Sequence, residues 1–381
     1  MAETTGGATR IDRLLIVRLG SLGDLIHTLP AVAALRRAHP SAEIDWLVDA
    51  VHADLLGLVP ILTRVITLGR RSAGGWLSAR RELRRRRYDL ALDFQGLIKS
   101  AALARFSGAR RVLGFDREAL REPAARVFYT SAVPVGESGH VLHKNLRLAA
   151  AAGAATDRVE FPIVVEASAA REAIRAMLAA AAPDAATGDD RAARYALINP
   201  GAAWPNKCWP PARYGQVARH VKAVHGLTPV VLWGPGEVAR ARAVADASDG
   251  AAVVAPPTAL ADLVALARDA ALMVSGDTGP MHIAGAMGVP LVALFGPTSP
   301  ARNGPWDPRD VSITRYDACD CHYVRRCRRP DADWCLASIA VGEVVHAIDR
   351  RLPAGRAGAG PGPAGMNVDS HADPRNPGAP A

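Results

Sequence analysis

The chain has 381 residues, of which 49% are hydrophobic and 22% charged, and its formal net charge is +9. That length suits two domains of about 150 to 200 residues, and the composition excludes a fibre or a fully disordered chain. No apolar run approaches the ~18 to 20 residues of a membrane-spanning helix, and the first residues lack a signal-peptide pattern. We therefore expect a cytoplasmic protein.

The excess positive charge belongs to the first part of the chain. Residues 1–150 contain 23 Lys and Arg against 14 Asp and Glu, whereas residues 151–381 contain 23 against 23. Such an excess indicates an anionic partner, such as nucleic acid, an anionic membrane surface or a phosphorylated substrate. A solvated arginine-rich surface is the alternative, and charge alone leaves both open.

The chain opens with the pattern of an α/β domain. A buried strand in LLIVRL is followed by a glycine loop and by the amphipathic helix LIHTLPAVAALRRAHP. Further strands are predicted in EIDWLV, YDLALDF and RRVLGF, with a basic helix at residues 79–87 among them. Strands that alternate with helices in this way predict a parallel sheet with helices on both faces.

A second α/β series begins at YALINPG, after residues 167–194, which we interpret as the passage between domains. The apolar strands in TPVVLWGPGE, ALMVSGDTG and VPLVALFGP each end in small or polar residues. Ligands of open α/β sheets bind beyond the carboxyl ends of the strands, so these loops are the predicted site. The last patterned segment, SIAVGEVVHAIDRRL, predicts a helix, and the Pro/Gly/Ala-rich residues beyond it predict a disordered tail.

The glycine pattern argues against a dinucleotide-dependent oxidoreductase. The first loop, residues 20–24, lacks the G-x-G-x-x-G spacing, and the one clean match, at residues 360–365, has no strand before it. The sequence also contains neither a P-loop nor a serine nucleophile elbow.

Several polar residues follow the predicted strands. Asp24 occupies a strand-to-helix turn, where a carboxylate can act as a general base or cap the helix. Lys207 ends a long loop and either neutralises phosphate charge or is merely solvated. Glu237 follows a tight turn, where it can accept from ribose hydroxyls or interact favourably with the first turn of a helix.

The segment SGDTGPMH, residues 275–282, opens a helix with small and polar residues. A helix N-terminus of this kind favours a diphosphate, because its free N–H groups and its dipole both attract anions. Asp277 can bind a hydroxyl or cap the helix, Thr278 adds a hydroxyl donor, and Gly279 allows a close approach. His282 can contact a ligand or pack in the core.

These motifs, in this order, resemble glycosyltransferase family nine, the ADP-heptose:lipopolysaccharide heptosyltransferases, over about residues 11–350. The segments that carry the resemblance are SLGD at 21–24, DFQGLIKS at 93–100, REP at 121–123, Lys207, GPGE at 234–237 and DTGPMH at 277–282. QGLIKSA and REPAARVFY are most similar to the heptosyltransferase I branch, which adds the first heptose to the Kdo of the inner core. The residues NPGAAW look more like the second heptosyltransferase.

The resemblance implies a GT-B fold, in which two Rossmann-like domains face across a cleft and the C-terminal helix crosses back to the first domain. We expect an acceptor domain at 11–166, a nucleotide-sugar domain at 192–335, the crossover helix at 336–352 and the tail at 353–381. It also implies transfer of heptose from ADP-heptose to the Kdo region with inversion and without a catalytic metal. Nucleic acid is not an expected partner.

The same resemblance assigns roles to individual residues. Asp24 would be the general base and Lys207 would bind the donor diphosphate. Glu237 would hold the ribose, and the heptose and its phosphates would be surrounded by Asp277, Thr278, Gly279 and His282. The expected acceptor contacts are Arg18, Gln95, Lys99 and Arg121, in a basic domain that fits a Kdo-lipid A acceptor at the inner membrane surface. The run Arg84 to Arg87 would contact anionic lipid or form a solvated helix face.

Two alternatives to heptosyl transfer stay open, namely a family-nine enzyme with another nucleotide sugar or a protein acceptor, and a binding partner that has lost catalysis. The chemistry of the cysteines is also open. Cys319, Cys321, Cys327 and Cys335 lie close in sequence and can hold a structural zinc or iron, form a disulfide or stay reduced, and the usual C-x-x-C spacing is missing.

Overall fold

The computed structural model describes residues 10–69, 73–136, 139–165, 167–181, 194–327, 335–352 and 366–367. The chain divides into two compact units, one up to Val164 together with residues 366–368, and the other from Val165 onward. Each unit contains one parallel six-stranded sheet. This confirms the predicted α/β class.

The first unit alternates strands and helices as its apolar pattern predicts. Its sheet has the order β3-β2-β1-β4-β5-β6, and all of its strands are parallel. The strands are β1 Arg13–Val17, β2 Glu43–Asp49, β3 Arg64–Leu68, β4 Leu90–Asp93, β5 Arg111–Phe115, β6 Ser131–Val133 and the separate β7 Arg158–Val159. The helices are α1 Leu22–Ile26, α2 Leu29–Ala38, α3 Ala53–Leu56, α4 Ala73–Arg86, α5 Ile98–Phe106 and α6 Val141–Ala150.

The second unit repeats this topology. Its sheet has the order β10-β9-β8-β11-β12-β13, again parallel throughout. The strands are β8 Tyr195–Asn199, β9 Thr228–Val231, β10 Val253–Val254, β11 Leu272–Gly276, β12 Leu291–Phe295 and β13 Val311–Thr314. The helices are α7 Ala169–Ala181, α8 Pro211–His225, α9 Val238–Asp246, α10 Leu260–Asp269, α11 Gly279–Ala286, α12 Pro300–Asn303 and α13 Val341–Arg351.

The central strands are apolar on both faces because helices cover both sides of each sheet. Every residue of β8, β11 and β12 is buried. Buried parallel strands read as continuous apolar runs, which is why the sequence signals them clearly. The strand order places β1 and β4 side by side in the first sheet and β8 and β11 side by side in the second. Where the order changes direction in this way, the loops leave the sheet on opposite faces and open a crevice.

Helix α13 packs within the second unit. Its apolar side chains Val344, Ala347 and Ile348 lie in the core of the second unit, against α8 and β12, and the return of this helix to the first domain stays a prediction. The chain is next described at β14, Met366–Asn367, which pairs antiparallel with β7 of the first unit. The rest of the predicted tail at 353–381 lies outside the described residues.

Candidate active site

The second unit gathers its polar side chains on loops that follow four adjacent strands. Glu237 follows β9, Lys207 follows β8, Asp277 follows β11 and Thr298 follows β12. Because these strands are parallel, their carboxyl ends lie at one edge of the sheet. The loops predicted from sequence are therefore brought together in space.

A buried ion pair forms the centre of this group. The Lys207 Nζ donates to Asp277 Oδ2 at 2.6 Å, and the two side chains are only 15% and 4% exposed. Thr298 Oγ1 donates to the same carboxylate oxygen at 2.6 Å, and His282 Nε2 lies 3.2 Å from the other oxygen. The ammonium also lies 4.7 Å from the centre of the Trp204 ring, a cation–π distance.

These partners keep the Asp277 carboxylate charged. Burial alone would raise the pKa of Asp277, but the hydrogen bond from His282 and the nearby Lys207 ammonium outweigh it and hold the pKa well below its usual range. Gly276 contributes to the same arrangement, because a Cβ there would lie 2.7 Å from the backbone carbonyl of Lys207. Asp277 thus holds the Lys207 ammonium in a fixed position, which suits a cation that must meet a phosphate.

Glu237 is held across the loop that follows β8. Its Oε2 accepts from the backbone N–H of Gly234 at 3.0 Å, and a Cβ at Gly201 would lie 2.2 Å from the same oxygen. Glycine at position 201 is therefore required for the carboxylate to take this position. The remaining lone pairs of the carboxylate can accept hydroxyl groups, as a ribose-binding residue must.

The start of α11 lies in the same group of loops. Thr278 is the N-cap residue, and its Oγ1 accepts from Asn199 Nδ2 at 2.9 Å, while Gly279 begins the helix. Asn199 also donates to Ser275 Oγ at 3.0 Å, so the ends of β8 and β11 are tied together. Of the predicted donor-site residues, Lys207 and His282 each contact Asp277 directly, while Glu237 and Thr278 lie on the flanking loops.

In the first unit, Asp24 is fixed in the first turn of α1. Its Oδ1 lies 2.6 Å from the Arg18 guanidinium, and its Oδ2 accepts from Ser21, both from the backbone N–H at 3.1 Å and from the hydroxyl at 3.0 Å. The side chain is 23% exposed, whereas that of Arg18 is 6% exposed. The capping role of Asp24 is therefore real, and the carboxylate still reaches solvent.

Arg18 and Gln95 fasten the loops after β1 and β4 to each other. A guanidinium N–H of Arg18 donates to the Phe94 carbonyl, and Gln95 Oε1 accepts from the backbone N–H of Leu19 at 2.9 Å. Within the described residues, Arg18 Nε is buried and has no hydrogen-bond partner. Arg18 thus contacts Asp24 directly, and Gln95 holds the loop that leads from β1 to Asp24.

Lys99 and Arg121 lie on the next loops along the same sheet. Lys99 is in the first turn of α5, after β4, and Arg121 follows β5. Glu122, the neighbour of Arg121, accepts from the backbone N–H of Ile98 at 2.7 Å, which joins these two loops. Between them, Asp93 is fully buried and accepts from Tyr129 and Ser100, so its role is structural.

Thr298 and His52 were not predicted from the sequence. Thr298 follows the apolar strand VPLVALFGP, so its position after β12 was the available signal. His52 lies in a short 3-10 helix after β2, and its ring atom Nε2 lies 2.8 Å from where a Cβ at Gly20 would be. Burial lowers the pKa of His52, against the opposing effects of the Asp49 and Asp24 charges. No pattern in the sequence pointed to this contact.

The cysteine cluster is brought together on the second unit. Cys321 Sγ lies 3.7 Å from Cys327 Sγ, and Cys319 Sγ accepts from the backbone N–H of Cys321 at 3.3 Å. A disulfide needs an S–S distance of about 2.05 Å, so these are unbonded thiols. Burial and the neighbouring Cys319 raise the pKa of Cys335 to about 12. A structural metal at this cluster stays a prediction.

Among the described residues, no helix is both long and apolar enough to cross a membrane.

Residues 76–331 match the family model of glycosyltransferase family 9 (heptosyltransferase). Lipopolysaccharide heptosyltransferase 1 of Pseudomonas aeruginosa is 34% identical over 79% of this chain and 83% of its own length. The enzyme of the same name from Salmonella typhimurium is 30% identical over 77% of this chain and 90% of its own.

Solved structures show the same fold. Escherichia coli heptosyltransferase WaaC with ADP superposes with a TM-score of 0.70 at 24% identity, covering 89% of this chain and 100% of that one. E. coli ADP-heptose lps heptosyltransferase II gives a TM-score of 0.66 at 20% identity, with 89% and 98% covered. The predicted GT-B fold class is confirmed. On the match to the family model and to the two sequence relatives, the chain belongs to glycosyltransferase family 9, the heptosyltransferases.

Proposed function

We propose that this chain is an inverting heptosyltransferase that moves heptose from ADP-heptose to the Kdo region of the lipopolysaccharide inner core. The observation that carries the proposal is the buried Lys207–Asp277 pair on the loops after β8 and β11, with Glu237 on the adjacent loop. Membership of the family supports the reaction class. The side chains of Lys207, Asp277 and Glu237 are chemically suited to binding a nucleoside diphosphate.

The donor is held by the second unit in this proposal. Lys207, held in place by Asp277, meets the diphosphate, whose negative charge grows as the bond to the sugar breaks. The first turn of α11 offers N–H donors and the positive end of its dipole to the same group. Glu237 accepts hydroxyl groups of the ribose, and Asp277 and His282 face the heptose.

Transfer itself is a single displacement. The Asp24 carboxylate takes the proton of the acceptor hydroxyl, and the hydroxyl oxygen forms a bond to the anomeric carbon of the heptose. The bond between that carbon and the phosphate oxygen breaks on the opposite side, so the configuration inverts and ADP leaves with the electron pair. Positive groups around the phosphates perform the charge stabilisation that a metal supplies in other transferases, so we propose that no metal takes part.

Asp24 is suited to the role of base because it is fixed without being buried. Ser21 and Arg18 orient the carboxylate, and its partial exposure leaves room for a hydroxyl. Arg18, Gln95, Lys99 and Arg121 form the basic and polar surroundings in which the Kdo carboxylates of the acceptor bind. A fixed base adjacent to basic side chains matches an acidic acceptor.

A separate surface of the first unit suits the membrane on which such an acceptor lies. On α4, Arg86 turns inward and pairs with buried Asp45, whereas Arg80, Arg81, Arg84 and Arg85 face outward beside the exposed Leu77. The Arg80 guanidinium lies 5.8 Å from the centre of the Phe106 ring, and Phe106 is 49% exposed. Arginines near an anionic leaflet contribute about 1 kcal/mol each, and adjacent apolar side chains insert among the headgroups.

Donor recognition is tested by calorimetry with ADP-heptose, ADP and UDP-glucose. We expect selective binding of the two adenine ligands, and about a 100-fold loss of affinity in Lys207→Gln. Lys222→Gln is the matched control, since this lysine on α8 donates to Thr228 Oγ1 at 3.0 Å on the surface. Binding of another nucleotide sugar in preference to ADP-heptose would overturn the donor assignment and keep the GT-B transferase.

Membrane contact is tested by sedimentation with vesicles of phosphatidylglycerol or phosphatidylcholine. We expect binding to the anionic vesicles alone, and a loss of about tenfold in a variant with Arg84→Gln and Arg85→Gln. Arg242→Gln, an exposed change on α9, should bind as the wild type does. Equal binding by both variants would remove this surface from the proposal.

A further inference from the structure

Two histidines and an aspartate of the second unit lie together on two neighbouring helices. The proposed reaction does not use these residues. His220 and His225 lie on α8, and Asp349 lies in the last turns of α13. The Nε2 atoms of His220 and His225 are 2.7 and 2.8 Å from the same oxygen, Asp349 Oδ1. Three donor atoms from two helices therefore converge on one point.

The geometry of this cluster fits a transition-metal ion. The three donor atoms lie within 4.8 Å of one another. Ligands of a tetrahedral zinc are about 3.3 Å apart when the bonds are about 2.0 to 2.2 Å long. The two N···O distances must open by only about 0.5 Å to admit the ion, which is a small movement for side chains at a helix end.

The chemistry of the donors agrees with the geometry. Two imidazoles and one carboxylate form a set that zinc, cobalt and nickel prefer, with a fourth position for water. His225 is 8% exposed and fixed, while His220 and Asp349 are 21% and 43% exposed, so an ion can enter from solvent.

We propose that His220, His225 and Asp349 bind one divalent transition-metal ion, of which Zn²⁺ is the representative, and that this ion links α8 to α13. Asp349 already ties α13 to α8, and two residues later Arg351 Nε donates to Asp310 Oδ1 at 2.8 Å. The last turn of α13 is thereby anchored on two sides, and the metal replaces two hydrogen bonds on one side with three coordinate bonds. The site has a structural role and does not depend on the proposed transfer reaction.

The test uses the full-length, tag-free protein, stripped with EDTA and titrated with Co²⁺ and Zn²⁺. Cobalt bound by nitrogen and oxygen gives visible d–d absorption without thiolate charge transfer, which distinguishes this site from the cysteine cluster. We expect one such ion per chain and a rise in melting temperature on the order of 5 °C at saturating Zn²⁺.

Three variants locate the ion. His220→Ala and Asp349→Asn should each lower the affinity at least tenfold and abolish the rise in melting temperature, because each removes one of three ligands. His346→Ala is the control, an exposed histidine on α13 that is not part of the cluster. His220 is partly exposed, so its variant folds and the test does not depend on changing the buried His225.

Two results would overturn the site. One is cobalt absorption dominated by thiolate charge transfer, unchanged in His220→Ala, which would place the metal at the cysteines. The other is no rise in melting temperature with Zn²⁺ in the wild type. Either result would leave the proposed heptosyl transfer untouched, since transfer is measured separately on metal-free protein.

Discussion

The two units share one topology, but their central carboxylates differ in burial and in the number of their partners. In the second unit the Asp277 carboxylate is 4% exposed and has Lys207, Thr298 and His282 around it. In the first unit the Asp24 carboxylate is 23% exposed and is held by Arg18 and Ser21. A group that holds charge works best buried and paired, while a group that must accept a proton has to be accessible to the substrate.

In the proposed reaction, the second unit binds the donor and the first unit takes the proton of the acceptor. Loops after equivalent strands of the two sheets carry these groups. Asp24 follows β1 and Lys207 follows β8, and each of these strands lies at the point where the strand order of its sheet changes direction. The same architecture therefore presents different chemistry because the loop residues differ. The predictions below separate the two roles.

The largest effect should come from Asp24→Asn. The amide keeps the size of the side chain and can still meet Ser21, but it cannot take a proton. We expect kcat to fall about 1,000-fold or more while the affinity for ADP-heptose changes less than threefold. Steady-state kinetics and calorimetry on the same preparation give both values. Near-normal turnover in this variant would remove Asp24 from the role of base.

A smaller effect should come from Gly201→Ala in the second unit. The new Cβ would lie 2.2 Å from Glu237 Oε2, so the carboxylate must leave its present position. We expect KM for the donor to rise about tenfold with little change in kcat, because ribose binding is lost and the base is untouched.

Gly342→Ala is the matched control for this change, since a Cβ there meets nothing within 4 Å. Gly342 lies in helix α13, where alanine is the better helix former, so stability should stay equal or increase slightly. An unchanged KM in Gly201→Ala would contradict the role given to Glu237.

The smallest effect concerns stability in acid. The pKa of Asp277 is lower in the folded chain than in the unfolded chain, so its contribution is present at pH above about 4 and is lost as the pH falls below that value. Urea unfolding should show a loss between pH 5 and pH 2 that is smaller in Asp277→Asn by on the order of 2 kcal/mol.

Asp249→Asn provides the reference for this measurement. Asp249 is 74% exposed and pairs with Arg219 on the surface, where an ion pair contributes little. Its variant should show the same acid dependence as the wild type. An acid dependence of Asp277→Asn that equals the wild type's would show that the Lys207–Asp277 pair does not stabilise the folded chain.

Most of the fold could be predicted because the buried strands are continuous apolar runs, each ending in small or polar residues. YALIN and ALMVSG contain β8 and β11, and the helix expected in SIAVGEVVHAIDRRL is α13. The packing partner of α13 was harder to predict, because an apolar face shows only that a helix packs against some core. Val344 and Ile348 lie in the core of the second unit.

The candidate site was predictable where a loop follows a strong strand, and less so elsewhere. Lys207, Asp277 and His282 were found in that way, and Asp277 contacts both of the others. The contact of His52 with Gly20 depends on how β2 is registered beside β1, which no local pattern encodes. The meeting of His220, His225 and Asp349 likewise depends on the packing of α13 on α8.

The most direct test of the proposed function is the transfer reaction itself. Purified chain is incubated with ADP-heptose and a Kdo-lipid A acceptor, and the product is analysed by mass spectrometry and by NMR of the anomeric proton. We expect one added heptose on Kdo, with the anomeric configuration opposite to that of the donor, in the presence of EDTA. Retained configuration, or no transfer by protein that binds ADP-heptose, would contradict the proposed reaction.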